Sequence, residues 1–172
     1  MSVSFPEGWR IESLSKRHNR KGFDCGNAEV NDWLWTKARQ SLAKNLSNTK
    51  VLCDSGGDIA GFYTLAVAQV NLGDLPHPIL AKLPKRLLPV VVLGWLGVDE
   101  AHQGTGLGDR LLADALLRCI DAGGTIPFVA VVVDCLNENA KAFFQRFGFV
   151  EFPGRPMSLL IPRGDLESIL EV

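Results

Sequence analysis

A glycine-rich turn between an aliphatic run and an amphipathic stretch constrains this chain more than any other feature. The segment 102–108, HQGTGLG, holds three glycines in five positions, after VVVLGWLGVDEA and before DRLLADALLRCI. Each glycine costs backbone entropy, so this cluster indicates a tight turn or a close approach to the backbone. A strand, a glycine turn and a helix in this order point several amides at one place, with the helix dipole behind them. This arrangement predicts an anion site, usually for phosphate.

Two common nucleotide-binding patterns do not match the turn. Walker A needs a Lys-Ser/Thr pair after the glycines, and none follows here. The dinucleotide fingerprint needs G-x-G-x-x-G after a first strand, whereas the spacing here is G-x-G-x-G. The remaining pattern is Q-x-x-G-x-G, formed by Gln103, Gly106 and Gly108 and followed by a leucine-rich helix.

Periodicity on both sides of the turn predicts alternating strands and helices. The run 90–98 is continuously apolar, as in a buried strand, and lies between Pro89 and Asp99. Apolar residues at 107, 111, 112, 115, 116, 119 and 120 share one helix face, which leaves Asp109, Arg110, Asp114 and Arg118 on the rest of its surface. Segments 127–133 and 137–146 predict a second buried strand and a second helix. Strand–helix–strand–helix implies a crossover and a mixed sheet.

The flanking segments complete a single α/β domain. Asn27 is a good N-cap for apolar residues at 30, 33, 34, 38 and 42. Residues 49–70 predict a hairpin around the turn SGGD, and 71–89 hold four prolines, typical of a long connection with at most a short helix. FGFVEF and MSLLI predict the last strands, and 164–172 a short tail helix. We therefore expect one domain, residues 1–172, with a central twisted mixed sheet flanked by helices.

Composition and charge narrow the class of protein. No apolar run reaches the roughly 18 residues of a membrane span, and the N-terminus lacks a signal-peptide pattern, so we expect a cytoplasmic protein without membrane contact. The four cysteines at 25, 53, 119 and 135 form no C-x-x-C pair, which predicts free thiols and no metal site. Residues 1–50 carry nine Lys/Arg and five Asp/Glu. This basic front part either meets an anionic partner or is a solvated surface.

Two motifs together resemble the GNAT N-acetyltransferase family. Q-x-x-G-x-G after a strand is similar to that family's acetyl-CoA pyrophosphate loop. NENAKAFFQRFGF matches the family pattern N-x-x-A-x-x-x-Y-x-x-x-G-F at Asn137, Ala140, Gly148 and Phe149. FDCGNAEVNDWL, GFYTLA and LPVVVLGWLGVDEAHQGTGLG look like the GNAT-type toxins of bacterial toxin–antitoxin modules, and this likeness spans residues 23–161.

The resemblance implies a site for acetyl-CoA as co-substrate. In the family, the pantetheine arm binds the backbone of the strand before the loop, here Leu96, Gly97 and Val98. The pyrophosphate takes backbone amides, here those of Gln103, Gly104, Gly106, Leu107, Gly108 and Asp109. Asn137 contacts the arm from the other side, a role compatible with capping a helix.

The chain departs from its relatives near the expected thioester. Phe144 stands at the position of the family's usual tyrosine, which donates a proton to the leaving thiolate, and a phenyl ring cannot donate. Trp95 stands where similar toxins usually carry arginine. The chain's one tyrosine, Tyr63, lies in a strand where core packing is expected. Asp134 is a candidate base or water-positioning residue, with Glu138 nearby, and would equally bond backbone in its turn.

The resemblance implies a toxin-type enzyme that acetylates the α-amine of aminoacyl-tRNA. An α-amine with a pKa of about 7.7–8.0 is partly neutral at pH 7, unlike lysine at about 10.4, so a site without a proton donor favours it. Lys82, Lys85 and Arg86 would face the tRNA backbone. The expected partners also include a small ribbon-helix-helix antitoxin and a second copy of the chain, as a homodimer. Two alternatives stay open: a housekeeping acetyltransferase of a small amine or peptide N-terminus, and a CoA-binding protein that has lost catalysis.

Overall fold

The computed structural model describes residues 2–71, 78 and 80–170. Its strands are β1 (Arg10–Ser13), β2 (Asn48–Cys53), β3 (Ile59–Asn71), β4 (Leu87–Val98), β5 (Ala130–Asp134), β6 (Val150–Phe152) and β7 (Arg155–Pro162). Its α-helices are α1 (Ala28–Asp32), α2 (Ala38–Ala43), α3 (Leu107–Gly123), α4 (Glu138–Arg146) and α5 (Arg163–Leu170). A π-helical segment, Trp33–Lys37, joins α1 to α2.

The strands form a mixed sheet in the order β1-β2-β3-β4-β5-β7-β6. The pairs β1–β2, β2–β3, β5–β7 and β6–β7 are antiparallel. The β4–β5 pair is parallel, with Val90–Val92 opposite Ala130–Val132. Parallel neighbours require a crossover connection, and α3 lies within the one that joins this pair. The predicted α/β fold class with a mixed sheet is confirmed.

Residue contacts group the chain into two compact units. The first unit consists of Met1–Ala66 and Leu93–Leu117, and the second of Val67–Val92 and Arg118–Val172. The first has an apolar core that includes Phe23, Leu34 and Phe62, and the second has one that includes Leu88, Ala130 and Leu160. The single domain expected for residues 1–172 stays a prediction.

The strand before the glycine turn is longer and less buried than predicted. It begins at Leu87 rather than Val90, and so contains Pro89. The Pro89 carbonyl still accepts a hydrogen bond from the Val129 amide at 2.9 Å, because a proline lacks only the donor. Within the continuous apolar run, Val91 and Val92 are half-buried and Gly94 is exposed.

Burial on α3 differs from the prediction at one polar residue. Asp114, expected on the helix surface, is only 8% exposed and accepts a hydrogen bond of 2.5 Å from the Tyr63 hydroxyl. Tyr63 is fully buried, as predicted for a core residue. A buried tyrosine hydroxyl requires a hydrogen-bond partner, and the carboxylate of Asp114 meets that requirement.

The helical segment that starts after Asn27 is interrupted in its middle. Asn27 caps α1 as predicted, since its Oδ1 accepts from the amides of Glu29 (3.0 Å) and Val30 (3.2 Å). The amide of Ala38 donates to the carbonyl of Trp33, which is the five-residue spacing of a π-helix. Such segments are rare and frequently mark functional sites.

Candidate functional site

The glycine turn has the backbone of a ligand cradle. Gly104 (φ 77°) and Gly106 (φ 84°) occupy the left-handed region, where side chains are strained. A Cβ atom built on either glycine would have no neighbour within 4 Å. The glycines therefore serve the backbone conformation rather than tight packing, and the open side of the turn leaves room for a ligand.

Backbone amides at the start of α3 supply the donors. The amide of Arg110 donates to the carbonyl of Gly106 at 3.2 Å, which closes the first helical turn. The first amides of an α-helix, here those of Leu107 and Gly108, lack an acceptor within the helix itself. They lie at the positive end of a 17-residue helix dipole. The residues present thus fit the pyrophosphate that the sequence predicts at this turn.

The side chain of Gln103 supports the glycine turn through two hydrogen bonds to backbone carbonyls. Its Nε2 donates to the carbonyl of Val98 at 2.9 Å and to the carbonyl of Cys25 at 2.8 Å. It therefore ties the end of β4 to the segment before α1. The amide of Glu100 also donates to the carbonyl of Asp24 at 2.8 Å, which adds a second link to the same segment.

Side chains of the FDCGNAEVND stretch hold that supporting segment in place. Asp24 Oδ1 accepts from the Gly26 amide at 2.8 Å and from Asn31 Nδ2 at 2.9 Å. These two bonds, the Gly26 bond first, lower the pKa of Asp24. Asn31 is 5% exposed, and its side-chain oxygen accepts a hydrogen bond from the Cys25 amide at 2.9 Å. This role was not predicted from the sequence, although the closely spaced Asp and Asn residues are typical of turn-forming side chains.

The end of β4 is shaped by packing within the first unit. Leu96 and Val98 are half-buried, and Gly97 is buried. A Cβ on Gly97 would lie 2.9 Å from Val30 Cγ1 and 3.2 Å from Phe62 Cε1, so the close approach of these two residues requires glycine.

Trp95, where the sequence resemblance leads one to expect an arginine, belongs to an aromatic pair. The Trp95 ring stacks on the Trp33 ring with centroids 5.4 Å apart and an interplanar angle of 11°. Trp33 Nε1 donates to Thr64 Oγ1 at 3.1 Å, which fixes the pair. Position 95 therefore contributes apolar surface instead of a charge.

The chain matches known proteins over most of its length. The family described as acetyltransferase (GNAT) domain matches residues 47–151. The chain belongs to the GNAT acetyltransferase family. This GNAT enzyme is 33% identical over 157 residues to a tRNA-acetylating toxin of Mycobacterium tuberculosis strain ATCC 25618 / H37Rv, which covers 91% of the chain and 93% of the toxin. Acetyl-CoA is the co-substrate of this enzyme.

Solved structures agree with the family assignment. AtaT complexed with acetyl-methionyl-tRNAfMet has a TM-score of 0.86 at 26% identity, over 94% of this chain and 98% of that chain. AtaTR bound with acetyl-CoA has a TM-score of 0.83 at 27% identity, over 94% of this chain and 98% of that chain. The predicted resemblance to the GNAT-type toxins is confirmed.

The second unit carries the other predicted residues of the GNAT site. Asn137 caps α4 as predicted, since its Oδ1 accepts from the Ala140 amide at 2.8 Å. The Phe144 side chain is 6% exposed and contacts Phe143 and Phe149, with ring centroids 5.1 Å and 5.4 Å away. Phe144 therefore packs among aromatic rings.

Asp134 has a different partner from the one predicted. Its Oδ1 accepts a hydrogen bond of 2.6 Å from the Ser158 hydroxyl on β7, rather than from backbone in its turn. The Arg155 guanidinium lies 3.9 Å from the same oxygen, and the Asp134 side chain is 82% exposed. Strand pairing explains the difference, because Asp134 and Ser158 are directly opposite in the β5–β7 ladder. Glu138 is exposed in the first turn of α4.

The basic residues predicted to bind nucleic acid are exposed, whereas one of the histidines predicted on the surface is not. Lys82, Lys85 and Arg86 are all exposed, before and beside the start of β4. His102, predicted on the surface, is half-buried because its ring lies edge-on against Trp9, with centroids 4.9 Å apart. His77 lies outside the described residues.

One cluster of metal-ligating side chains is explained by hydrogen bonding. Glu12, His18 and Cys53 bring their ligand atoms within 4.8 Å of one another. The Ser15 amide donates to His18 Nδ1 at 2.9 Å, so the proton of the neutral ring is on Nε2, which donates to Glu12 Oε1 at 2.8 Å. A metal ion at Nε2 would require Nδ1 to carry the proton instead. The cluster is therefore a hydrogen-bonded group that joins β1 to the following turn.

The four cysteines are free thiols, as predicted, and three of them are buried. Burial raises the pKa of Cys119 to about 12 and is the main reason that the pKa of Cys53 is about 11. Because the thiolate is the reactive form, neither is suited to act as a nucleophile. Within the described residues, no helix is both long and apolar enough to cross a membrane.

Proposed function

We propose that the protein is a toxin-type N-acetyltransferase that transfers acetyl from acetyl-CoA to the α-amine of aminoacyl-tRNA. The observation that carries this proposal is the open, braced glycine turn at the start of α3. The acceptor is supported by the relatives: one is named a tRNA-acetylating toxin, and another was solved with acetyl-methionyl-tRNAfMet. The four free thiols fit a reducing compartment, so we place the enzyme in the cytoplasm.

The turn and the end of β4 bind the co-substrate in this proposal. The pyrophosphate-binding amides are those of Gln103, Gly104, Gly106, Leu107, Gly108 and Asp109. The backbone of Leu96, Gly97 and Val98 bonds the pantetheine arm in the manner of an added strand. The Asn137 side chain serves both the arm and the N-cap of α4.

The residues near the thioester of acetyl-CoA position the substrates and exclude water. Acetyl-CoA supplies the activated acetyl group as a thioester. Phe144 offers a packed phenyl ring and no proton, so the enzyme forgoes the roughly 10²–10⁴-fold that general acid catalysis typically adds. An α-amine needs little help from a base near neutral pH, because its ordinary pKa is about 7.7–8.0. Asp134 and Glu138 are the exposed carboxylates proposed to accept the amine proton or to hold a water.

The macromolecular partners follow from the same proposal. Lys82, Lys85 and Arg86 are exposed cations that contact the phosphate backbone of the tRNA. The proposed partners also include a small ribbon-helix-helix antitoxin and a second copy of the chain, in a homodimer.

The decisive experiment measures acetyl transfer to charged tRNA. The enzyme is incubated with acetyl-CoA and aminoacyl-tRNA, the tRNA is digested, and the mass of the aminoacyl-adenosine is measured by mass spectrometry. Deacylated tRNA, which lacks the amine, is the control. A panel of small amines and peptide N-termini is assayed in parallel. Acetylated aminoacyl-adenosine is the expected product. Turnover on the panel alone would support the housekeeping alternative, and acetyl-CoA binding without any turnover would support the CoA-binding alternative.

A further inference from the structure

The first unit contains a basic groove that the acetyl-CoA site does not use. It has a volume of about 320 Å³ and lies between the turn Arg20–Gly22 and the helical segment that runs from α1 to α2. Its lining residues are Arg20, Trp35, Thr36, Arg39, Gln40 and Ala43. We call it the Arg20–Arg39 groove.

Two guanidinium groups of the same charge share this groove. Arg20 is fixed at its edge, because Nη1 donates to the carbonyl of Trp35 at 2.9 Å. Burial lowers the pKa of Arg20, and the charge of Arg39 lowers it further. Guanidinium groups in proteins carry a positive charge at neutral pH. The neighbouring acid, Asp32, is already paired with Lys37 at 3.0 Å. An anion in the groove would relieve the repulsion between the two arginines.

The uncharged part of the lining is suited to a nucleotide. Trp35 is half-buried and held in place, because its Nε1 donates to the carbonyl of Phe23 at 2.8 Å. Gln40 adds an exposed amide, whereas the Thr36 hydroxyl already donates to the carbonyl of Asp32 at 2.8 Å. Arginine beside a fixed aromatic ring is the combination with which proteins bind the phosphates and bases of single-stranded nucleic acid. Trp35 and Thr36 both belong to the π-helical segment, which frequently marks a functional site.

The surrounding charge favours a partner with many negative charges. Residues 16–44 contain seven Lys/Arg and three Asp/Glu. The segment that forms the groove is therefore basic in composition, and a nucleic-acid backbone offers several phosphates to such a segment where a single carboxylate offers one charge.

We propose that the Arg20–Arg39 groove binds a phosphate of an RNA chain, with Arg20 and Arg39 as its ligands and Trp35 as the adjoining surface for a base. This inference rests on the proposed acceptor, because it gives the same tRNA a contact beyond Lys82, Lys85 and Arg86. It assigns a function to the basic front part of the chain.

The test is the salt dependence of tRNA binding by an Arg39→Ala variant. Arg39 is chosen because Arg20 also supports the backbone of Trp35. The affinity for deacylated tRNA is measured by fluorescence anisotropy over a series of salt concentrations. Loss of one phosphate contact should weaken binding and reduce the slope of log K against log salt by about 1. Arg39→Lys should keep the slope and recover only part of the affinity, because it restores the charge without the planar fork.

Lys16→Ala is the matched control, since Lys16 is exposed in the same basic segment and does not line the groove. It should leave the slope unchanged. All variants should keep the wild-type thermal shift with acetyl-CoA, which shows that they fold. Equal salt slopes for wild type and Arg39→Ala would overturn the inference. It would also be overturned if Arg39→Ala bound an acidic peptide more weakly than wild type but bound tRNA unchanged. Because the tRNA is deacylated, an Arg39-dependent slope supports the groove even if no acetyl transfer to charged tRNA occurs.

Discussion

The ring of Phe144 is packed against Phe143 and Phe149 and leaves no polar atom at the position of the family's tyrosine. We expect Phe144→Tyr to change the acetylation rate by less than about tenfold, since a hydroxyl added beside two phenyl rings gains little and costs some stability if it has no partner. Initial rates with acetyl-CoA and charged tRNA measure this effect.

Phe147→Tyr is the matched control, because its ring also packs on Phe143, with centroids 5.4 Å apart. It should leave the rate unaltered. A rise toward the 10²–10⁴-fold of general acid catalysis in Phe144→Tyr alone would show instead that departure of the thiolate limits the wild type. Absence of turnover in every variant, on tRNA and on amines, would contradict the proposed enzyme.

The stability of the fold depends on pH through the carboxyl group of Glu12. The hydrogen bond from His18, and then that from Arg17, lower its pKa from 4.5 to about 2. A carboxyl whose pKa is lower in the folded state stabilises the fold above its ordinary pKa and ceases to do so as it becomes protonated. We therefore expect the wild type to lose this contribution as the pH falls from about 4.5 toward 2.

Urea unfolding across that pH range checks the expectation. Glu12→Gln should be less stable than wild type at neutral pH and should show a shallower fall on acidification. Glu7→Gln, at an exposed position, should follow the wild-type profile. Parallel profiles for Glu12→Gln and wild type would argue against the assigned role.

At the scale of elements, the glycine turn and the start of α3 form the unit that we propose binds the co-substrate. Gly106→Glu adds a side chain and a negative charge where the pyrophosphate is expected, so acetyl-CoA should no longer raise the melting temperature. Gly57→Glu is a matched control, because Gly57 (φ 89°) shares the left-handed conformation and the open surroundings, but lies in the β2–β3 turn. It should keep the acetyl-CoA shift. An undiminished shift in Gly106→Glu would contradict the assignment.

Elements with strong local signals were predictable from the sequence. The spacing of apolar residues located α3, and the Asn137 cap located α4, because both signals act within a few residues. The glycine turn was predictable for the same reason. In the candidate site, the sequence therefore supplied the turn whose amides are the proposed donors and the residue types proposed to lie near the thioester.

Features set by distant contacts were not predictable. The strand β1 has only four residues and is defined by its pairing with β2. The side chain of Gln103 reaches Cys25, which lies 78 positions earlier in the chain. The buried Asp114 on α3 accepts a hydrogen bond from Tyr63, which lies on β3. No periodicity or local motif reports on such approaches, so the brace under the glycine turn and the Arg20–Arg39 groove required the structure.

At the scale of the whole molecule, charge is distributed unevenly although the net charge is only −1. Replacing Lys82, Lys85 and Arg86 together by alanine should flatten the salt dependence of tRNA binding and relieve growth arrest on overexpression, because phosphate contacts release counterions. Lys37→Ala should have little effect, since its ammonium already pairs with Asp32 at 3.0 Å. Harmless overexpression of the wild type, with charged tRNA left unmodified, would favour the small-amine alternative.

The stacked indoles of Trp33 and Trp95 also have an optical consequence. Two chromophores held nearly parallel, with centroids 5.4 Å apart, exchange excitation before either one emits. The ultraviolet spectra of the folded chain therefore contain a contribution that belongs to the pair rather than to either ring. Any change that slides β4 against the π-helical segment alters that contribution. The protein thus carries its own unlabelled spectroscopic reporter of the strand that leads into the glycine turn.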